Sequence, residues 1–331
     1  HFRITPHHHV TIGGLAMQTD QRVARLSRLA AGATLATALV SGLAAGQQTS
    51  SKSSDWSAVD QALGRKGAAQ PGDVMKYSFP RSDLQVTVNG VQVKPGFALG
   101  SWIAFKRTTA SAMMMGDLVL AEDEVAPVMR VLQQGGVEQT ALHNHVLGET
   151  PRVMYMHVMG HGDPAKLAQA VRTALGESRT PIEAPAAPAA AAPTIDLDTA
   201  VVARALGTSG KVNGGVYQVS IPRRERVTDH GMEVPPSMGV ATAINFQPTG
   251  GGKAAITGDF VMIASEVNPV IRALEQHGIT PTALHSHMLT ESPRLFFMHF
   301  WANDDAATLA KGLRAALDQM AVKTNAKRAT R

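Results

Sequence analysis

Between Ser57 and Ala321 the apolar residues follow two periods, and each sequence of periods occurs twice. Apolar positions three and four apart mark helices, and alternation with a period of two marks strands. "SAVDQALGRKG" reads as a short amphipathic helix ending at glycine. Strand candidates follow in "VMKYSFPR", "LQVTVNGVQVKPG", "SWIAFKR" and "AMMMGDLVLA", and the "VNG" between alternating residues predicts a hairpin. "EDEVAPVMRVLQQGG" predicts a helix, with acidic residues in its first turn and Val125, Val128, Met129 and Leu132 on one face. Two further strands, "TALHNHVL" and "RVMYMHVM", lead to the helix "DPAKLAQAVRTALG", with Asp163 as N-cap and Pro164 in its first turn.

The same order returns 142 residues later. "GDLVLAEDEVAPVMRVLQQGGVEQTALH" aligns with "GDFVMIASEVNPVIRALEQHGITPTALH", and Pro80-Arg81 aligns with Pro222-Arg223. The segment "TALHNHVLGETPRVMYMH" matches "TALHSHMLTESPRLFFMH" at 11 of 18 positions. Two copies are too few for a solenoid. The expectation is a duplicated α+β protein with pseudo-twofold symmetry, each unit a mainly antiparallel sheet with helices packed on it and ferredoxin-like elements at its end. The units span residues 47–176 and 195–321. The Pro/Ala-rich stretch 177–194 between them is a semi-rigid linker, and a basic tail occupies 322–331.

The repeated segment concentrates the chemistry. On a strand, His143, His145 and Leu147 share one face, and Val153, Tyr155, His157 and Met159 share another. With "GETPR" as a hairpin loop, His143 pairs with His157 and Tyr155 with His145, placing all three histidines on one surface, with Glu149 bending back from the loop. His285, His287, Glu291 and His299 repeat the arrangement. Six of the nine histidines beyond residue 46 belong to these clusters. Imidazole and carboxylate donors suit a divalent transition metal (zinc, manganese, iron, nickel or copper) and leave room for water. The other reading is a non-catalytic binding or interaction module, in which the same residues are core histidines bonded to glutamate and backbone.

Arg152 and Arg294 fit either an anion-binding role or a loop-pinning pair with a glutamate such as Glu149 or Glu124. Asp117 and Asp259, each after glycine, are candidates to accept the outer N–H of a metal-bound histidine, or to stabilise a turn. Bulky Phe296, Phe297, Phe300 and Trp301 predict a closed second site beside a more accessible first one. Methionines 113–115 have no counterpart in the second copy, so core packing accounts for them.

Charge narrows the partners. The chain carries +5, but without residues 1–46 and the tail the body has 23 basic against 25 acidic residues, which excludes a nucleic-acid face. A small molecule or metal ligand is the expected partner, and the oligomeric state stays open. From Met17, three arginines precede the apolar run Leu29–Leu43 and the small residues Ala44 and Gly46. That order predicts a signal peptide ending near Gly46, export to the periplasm or beyond, and no stable membrane span afterwards. There is no cysteine, hence no disulfide, thiolate ligand or lipid anchor.

In "FPRSDLQVTVNGVQVKPGFALGSW", "MGDLVLAEDEVAPVM" and "TALHNHVLGETPRVMYMH" the chain resembles the LppY/LpqO family, and with the second copy the resemblance covers nearly all of residues 56–320. That family is otherwise known as a domain of unknown function, so the resemblance implies no activity, substrate or cofactor. The missing lipoprotein cysteine is a departure that implies a soluble exported form instead of an anchored one.

Overall fold

The computed structural model describes residues 55–109, 111–183 and 194–323. The expected leader, the centre of the linker and most of the basic tail lie outside them. The first copy runs α1 (Ser57–Leu63), β1 (Ala68–Gln70), β2 (Val74–Pro80), β3 (Thr87–Val88), β4 (Val91–Gln92), α2 (Pro95–Ala98), β5 (Gly100–Arg107), β6 (Ala112–Ala121), α3 (Glu122–Gln134), β7 (Glu138–His143), β8 (Glu149–Thr150), β9 (Val153–Gly162) and α4 (Pro164–Leu175). The second runs α5 (Thr199–Leu206), β10 (Lys211–Asn213), β11 (Val216–Pro222), β12 (Thr228–Asp229), β13 (Met232–Glu233), β14 (Ala241–Gly250), β15 (Lys253–Met262), α6 (Ala264–Glu275), β16 (Thr280–His285), β17 (Phe296–Asp305) and α7 (Ala306–Leu317). Among the described residues no helix is long and apolar enough to cross a membrane.

Each copy builds one six-stranded sheet, in the orders β1-β2-β5-β6-β9-β7 and β10-β11-β14-β15-β17-β16, with antiparallel neighbours. The expected α+β duplication is the observed fold. Strand alternation divides each sheet into two apolar faces. On one face Tyr77, Phe79, Ile103, Phe105, Leu118 and Val158 pack under α1, α3 and α4, and the second copy repeats this under α5, α6 and α7. The opposite faces meet each other: Ala104, Met113, Met115 and Met159 pack with Val261, Met288, Leu295 and Phe297, and Val119, Val153 and Tyr155 with Val216, Ala255 and Trp301. The layers are therefore helices, sheet, sheet, helices, and the two copies join through their sheets.

The segment "LQVTVNGVQVKPG" forms the short hairpin β3–β4, turning at Asn89 and Gly90 with φ of 48° and 83°, outside the main sheet. It takes β8 as a third strand, with Val88 opposite Glu149. That pairing corrects the expected hairpin loop. β7 ends at His143, and residues 144–152 detour to β3 before β9 begins.

A buried ion pair fixes each unit. Arg81 is fully buried and donates to Glu124 (2.7 and 3.2 Å), to the Val119 carbonyl (2.7 Å) and to Asp83. Glu124 sits in the first turn of α3 and also accepts the Ala121 and Arg179 N–H groups. Arg223, Glu266, Ile263 and Ala321 repeat this in the second copy. Glutamate at this helix position satisfies an otherwise free N–H, and breaking such a buried pair by removing one partner costs about 3–5 kcal/mol.

Candidate metal centre

The inner face of the first sheet carries Asp117 on β6, His157 and Tyr155 on β9, and His143 at the end of β7. Asp117 pairs directly with His157, and Asp259 pairs with His299 in the second sheet. The observed register sets Ala141 opposite His157 and His143 opposite Tyr155, two residues from the expected pairing. A shift of two preserves the face, so His143 and His157 still point the same way. The longer loop explains the shift. His145 lies beyond the strand end, in that loop, and the second copy follows the same register, His285 opposite Phe297.

Because the two inner faces meet, the histidines expected to form two sites form one. The closest histidine–histidine pairs join different copies: His143 with His285 (3.7 Å between centroids), His145 with His299 (3.7 Å) and His157 with His287 (3.8 Å). Within a copy, His143 lies 5.2 and 5.1 Å from His145 and His157. His143 Nε2 is 3.1 Å from His299 Nε2, and His285 Nε2 is 3.0 Å from His287 Nε2. Three sets have ligand nitrogens within 4.8 Å of one another: His143–His145–His157, His143–His285–His299 and His157–His285–His287. Two of them draw on both copies. The expected division into an open first site and a closed second one is thereby corrected to a shared junction.

Backbone atoms orient the rings. His299 Nδ1 donates to the Gly258 carbonyl (2.7 Å), which turns its Nε2 lone pair toward His143, while His287 meets the Gly239 carbonyl through Nδ1 (3.1 Å) and Asp259 through Nε2 (3.0 Å). The Gly116 backbone serves His157 in the place equivalent to Gly258. These glycines belong to the "GD" pairs, and a Cβ on Gly258 would collide with the Ala243 carbonyl. Thr140 Oγ1 donates to the His287 carbonyl (2.6 Å) and Thr282 Oγ1 to that of His145 (2.5 Å), so each repeated threonine ties its strand to the other copy's loop. The sequence reading passed over both, although they open the identical "TALH".

Asp259 Oδ2 lies 3.0 Å from His287 Nε2, and Asp117 Oδ2 lies 3.7 Å from His145 Nε2. Burial pushes Asp117 up to about 7, with the facing Asp259 adding to the rise against His287. Burial pushes Asp259 upward too, but His299 and the hydrogen-bonded His287 outweigh it and hold the carboxyl low. Burial drives His143 down to about 3, and His299 and His287 lower it further. Burial likewise lowers His145, His157, His285 and His299.

The glutamates and arginines stand elsewhere. Glu149 accepts the Val153 N–H (3.3 Å), while Glu291 accepts the Leu295 N–H (2.9 Å) and the Arg294 guanidinium. No set of close ligand atoms among the described residues includes either carboxylate. Arg294 also donates to the Met288 and Leu289 carbonyls, which is loop pinning. Arg152 is exposed and 3.7 Å from Glu122, and the Glu124 suggested as its partner is held by Arg81.

A family model described as a domain of unknown function (DUF1259) matches residues 57–177 and again 200–319. No curated protein matches the chain. Among solved structures, a trimeric bacterial microcompartment shell protein, PduB, is 15% identical, with 77% of this chain and 89% of that one covered and a TM-score of 0.19. EtuB from Clostridium kluyveri is 9% identical, with 76% and 90% covered and a TM-score of 0.18.

The lowered histidines set the acid response. A histidine neutral in the fold but protonated when unfolded favours unfolding once pH drops below its ordinary value near 6.5. For His143 the loss develops from about 6.5 down to about 3. Asp117 and Glu149, both pushed up to about 7 by burial, act oppositely, their contributions being lost as pH rises through about 7, but they are two groups against five histidines. Urea midpoints of metal-free protein should fall from pH 7.5 to 6.5 to 5.5. A midpoint constant or rising over that range contradicts the buried neutral cluster.

Proposed function

The chain belongs to the DUF1259 family of domains of unknown function, present twice, and from that premise we propose that the junction between the copies is one divalent transition-metal centre. One observation carries the proposal. Of ten buried polar side-chain atoms without a hydrogen-bond partner among the described residues, six lie in this cluster: Asp117 Oδ1, His143 Nδ1, His145 Nε2, His157 Nε2, Asp259 Oδ1 and His285 Nδ1. Native proteins pair nearly all such atoms, each orphan costing about 1–3 kcal/mol. An ion bound through Nε2 lone pairs relieves His145 and His157 directly. Nitrogens bound to one ion at about 2.0–2.1 Å in tetrahedral geometry stand about 3.3 Å apart, near the 3.0 and 3.1 Å separations present.

By pseudosymmetry the centre has two halves, each combining the His-x-His of one copy with the last histidine of the other. His285, His287 and His157 bring their nitrogens together in one, and its symmetry counterpart is His143, His145 and His299, where the His143 and His299 Nε2 atoms stand 3.1 Å apart and the His145 and His299 rings 3.7 Å apart. Asp117 and Asp259 accept from or polarise the imidazoles. A bound ion of this type supplies a Lewis acid and an activated water, so a hydrolase or lyase activity fits the donor set. A second reading, a fold-keeping cluster without metal, draws on the stacked rings and threonine bonds across the junction. We further assign the chain to exported LppY/LpqO-like proteins, on the motifs quoted above and the leader before Gln47.

Elemental analysis after reconstitution of protein prepared without a histidine tag should find about one to two equivalents of transition metal. His143→Ala and His285→Ala should each remove at least about half of it, because each ring belongs to the shared centre. Less than roughly 0.2 equivalents in the unsubstituted chain leaves the fold-keeping reading standing. For export, N-terminal sequencing of periplasmic or culture-fluid protein should begin near Gln47, whereas cytoplasmic protein retaining Arg22 and Arg25 contradicts it.

A further inference from the structure

The two halves of the junction differ in charge. At the position where β11 carries Gln218, β2 carries Lys76, and where β14 places Ala243 opposite Asp259, β5 places Trp102 opposite Asp117. Gln218 is satisfied, its amide donating to the Gly96 carbonyl at 2.7 Å. Lys76 is not. Among the described residues its ammonium makes no hydrogen bond and no ion pair; it lies 4.0 Å over the Trp102 ring. Burial lowers it to about 8, and the field of Asp117 opposes that fall. The far edge of the same indole touches Gly239, where a Cβ would stand 3.0 Å from the ring, and the Gly239 carbonyl holds His287. One tryptophan therefore spans from the unpaired ammonium to a histidine of the centre.

Charge counting says what belongs beside it. With neutral imidazoles, Lys76 and at least one divalent ion bring three or more positive charges against at most the two of Asp117 and Asp259. At least one negative charge is missing, and a half-buried lysine without a partner gains from an anion beside it. We propose that Lys76, propped by Trp102, is the oxyanion-binding arm of the centre, so that the ligand taken there carries a carboxylate or phosphate group. The proposal rests on the metal reading above. It makes the first copy the ligand-facing half and the second copy, with Gln218 and Ala243, the supporting half.

The test uses the full chain loaded with zinc, its metal content measured for every variant, titrated calorimetrically with inorganic phosphate. Lys76→Gln installs the residue that β11 already accommodates, which protects the fold. It should weaken phosphate binding roughly tenfold or more, the worth of one charged hydrogen bond, while zinc content stays unchanged. Lys76→Arg should retain most of the affinity, and Gln218→Met should leave it unaltered. Equal phosphate affinity in wild type and Lys76→Gln at equal zinc content overturns the proposal and leaves the metal centre intact. Absence of zinc uptake by the wild type overturns both, and the metal assay separates the two failures.

Discussion

Six imidazoles enclosed between two sheets impose the condition on which the rest of the molecule depends: a nitrogen taken out of water needs a partner. The fold meets part of that demand with backbone, through the carbonyls of Gly258 and Gly239 and the backbone at Gly116. Asp259 meets another part. What is left over points inward, to the space shared by both copies. Leaving such atoms unpaired costs stability, and under the proposed reading neutral imidazole beside imidazole is the donor set that a transition-metal ion completes.

Packing sets how close the rings come. Helices cover the outer face of each sheet, so the inner faces have only each other to bury against. Apolar side chains fill the junction on either side of the histidines and hold the sheets in register, while the buried Arg81–Glu124 and Arg223–Glu266 pairs tie each sheet to a helix start and to the segment that closes each copy. The centre thus draws its order from two rigid frames. Departures from symmetry gather on one side, where Lys76, Trp102 and Tyr155 replace Gln218, Ala243 and Phe297. Tyr155 stacks on His145 and donates to the Ala98 carbonyl, which Phe297 on His287 has no hydroxyl to match.

The duplication, the helices and most strands were legible because period and caps are local properties, read from neighbours along the chain. Face parity was legible for the same reason, and it survived a register error of two. The loop after His143 was misjudged because β8 leaves to join β3, sixty residues earlier, and a tight turn was the local reading of "GETPR". Glu149 and Glu291 looked like ligands by spacing, yet the backbone N–H groups of Val153 and Leu295 lie nearer. Arg81 and Arg223 were visible as matched residues, but their partners stand 43 positions away in sequence. Whether two clusters make two sites or one depends on how the copies face each other, and no periodicity encodes that.

Anomalous diffraction from crystals of the zinc-loaded full chain, recorded on either side of the zinc edge, tests the shared centre most directly. The account predicts a peak between the sheets, with histidine nitrogens from both copies at about 2.0–2.1 Å. A peak ligated by histidines of one copy alone, or no peak among His143, His145, His157, His285, His287 and His299, contradicts it.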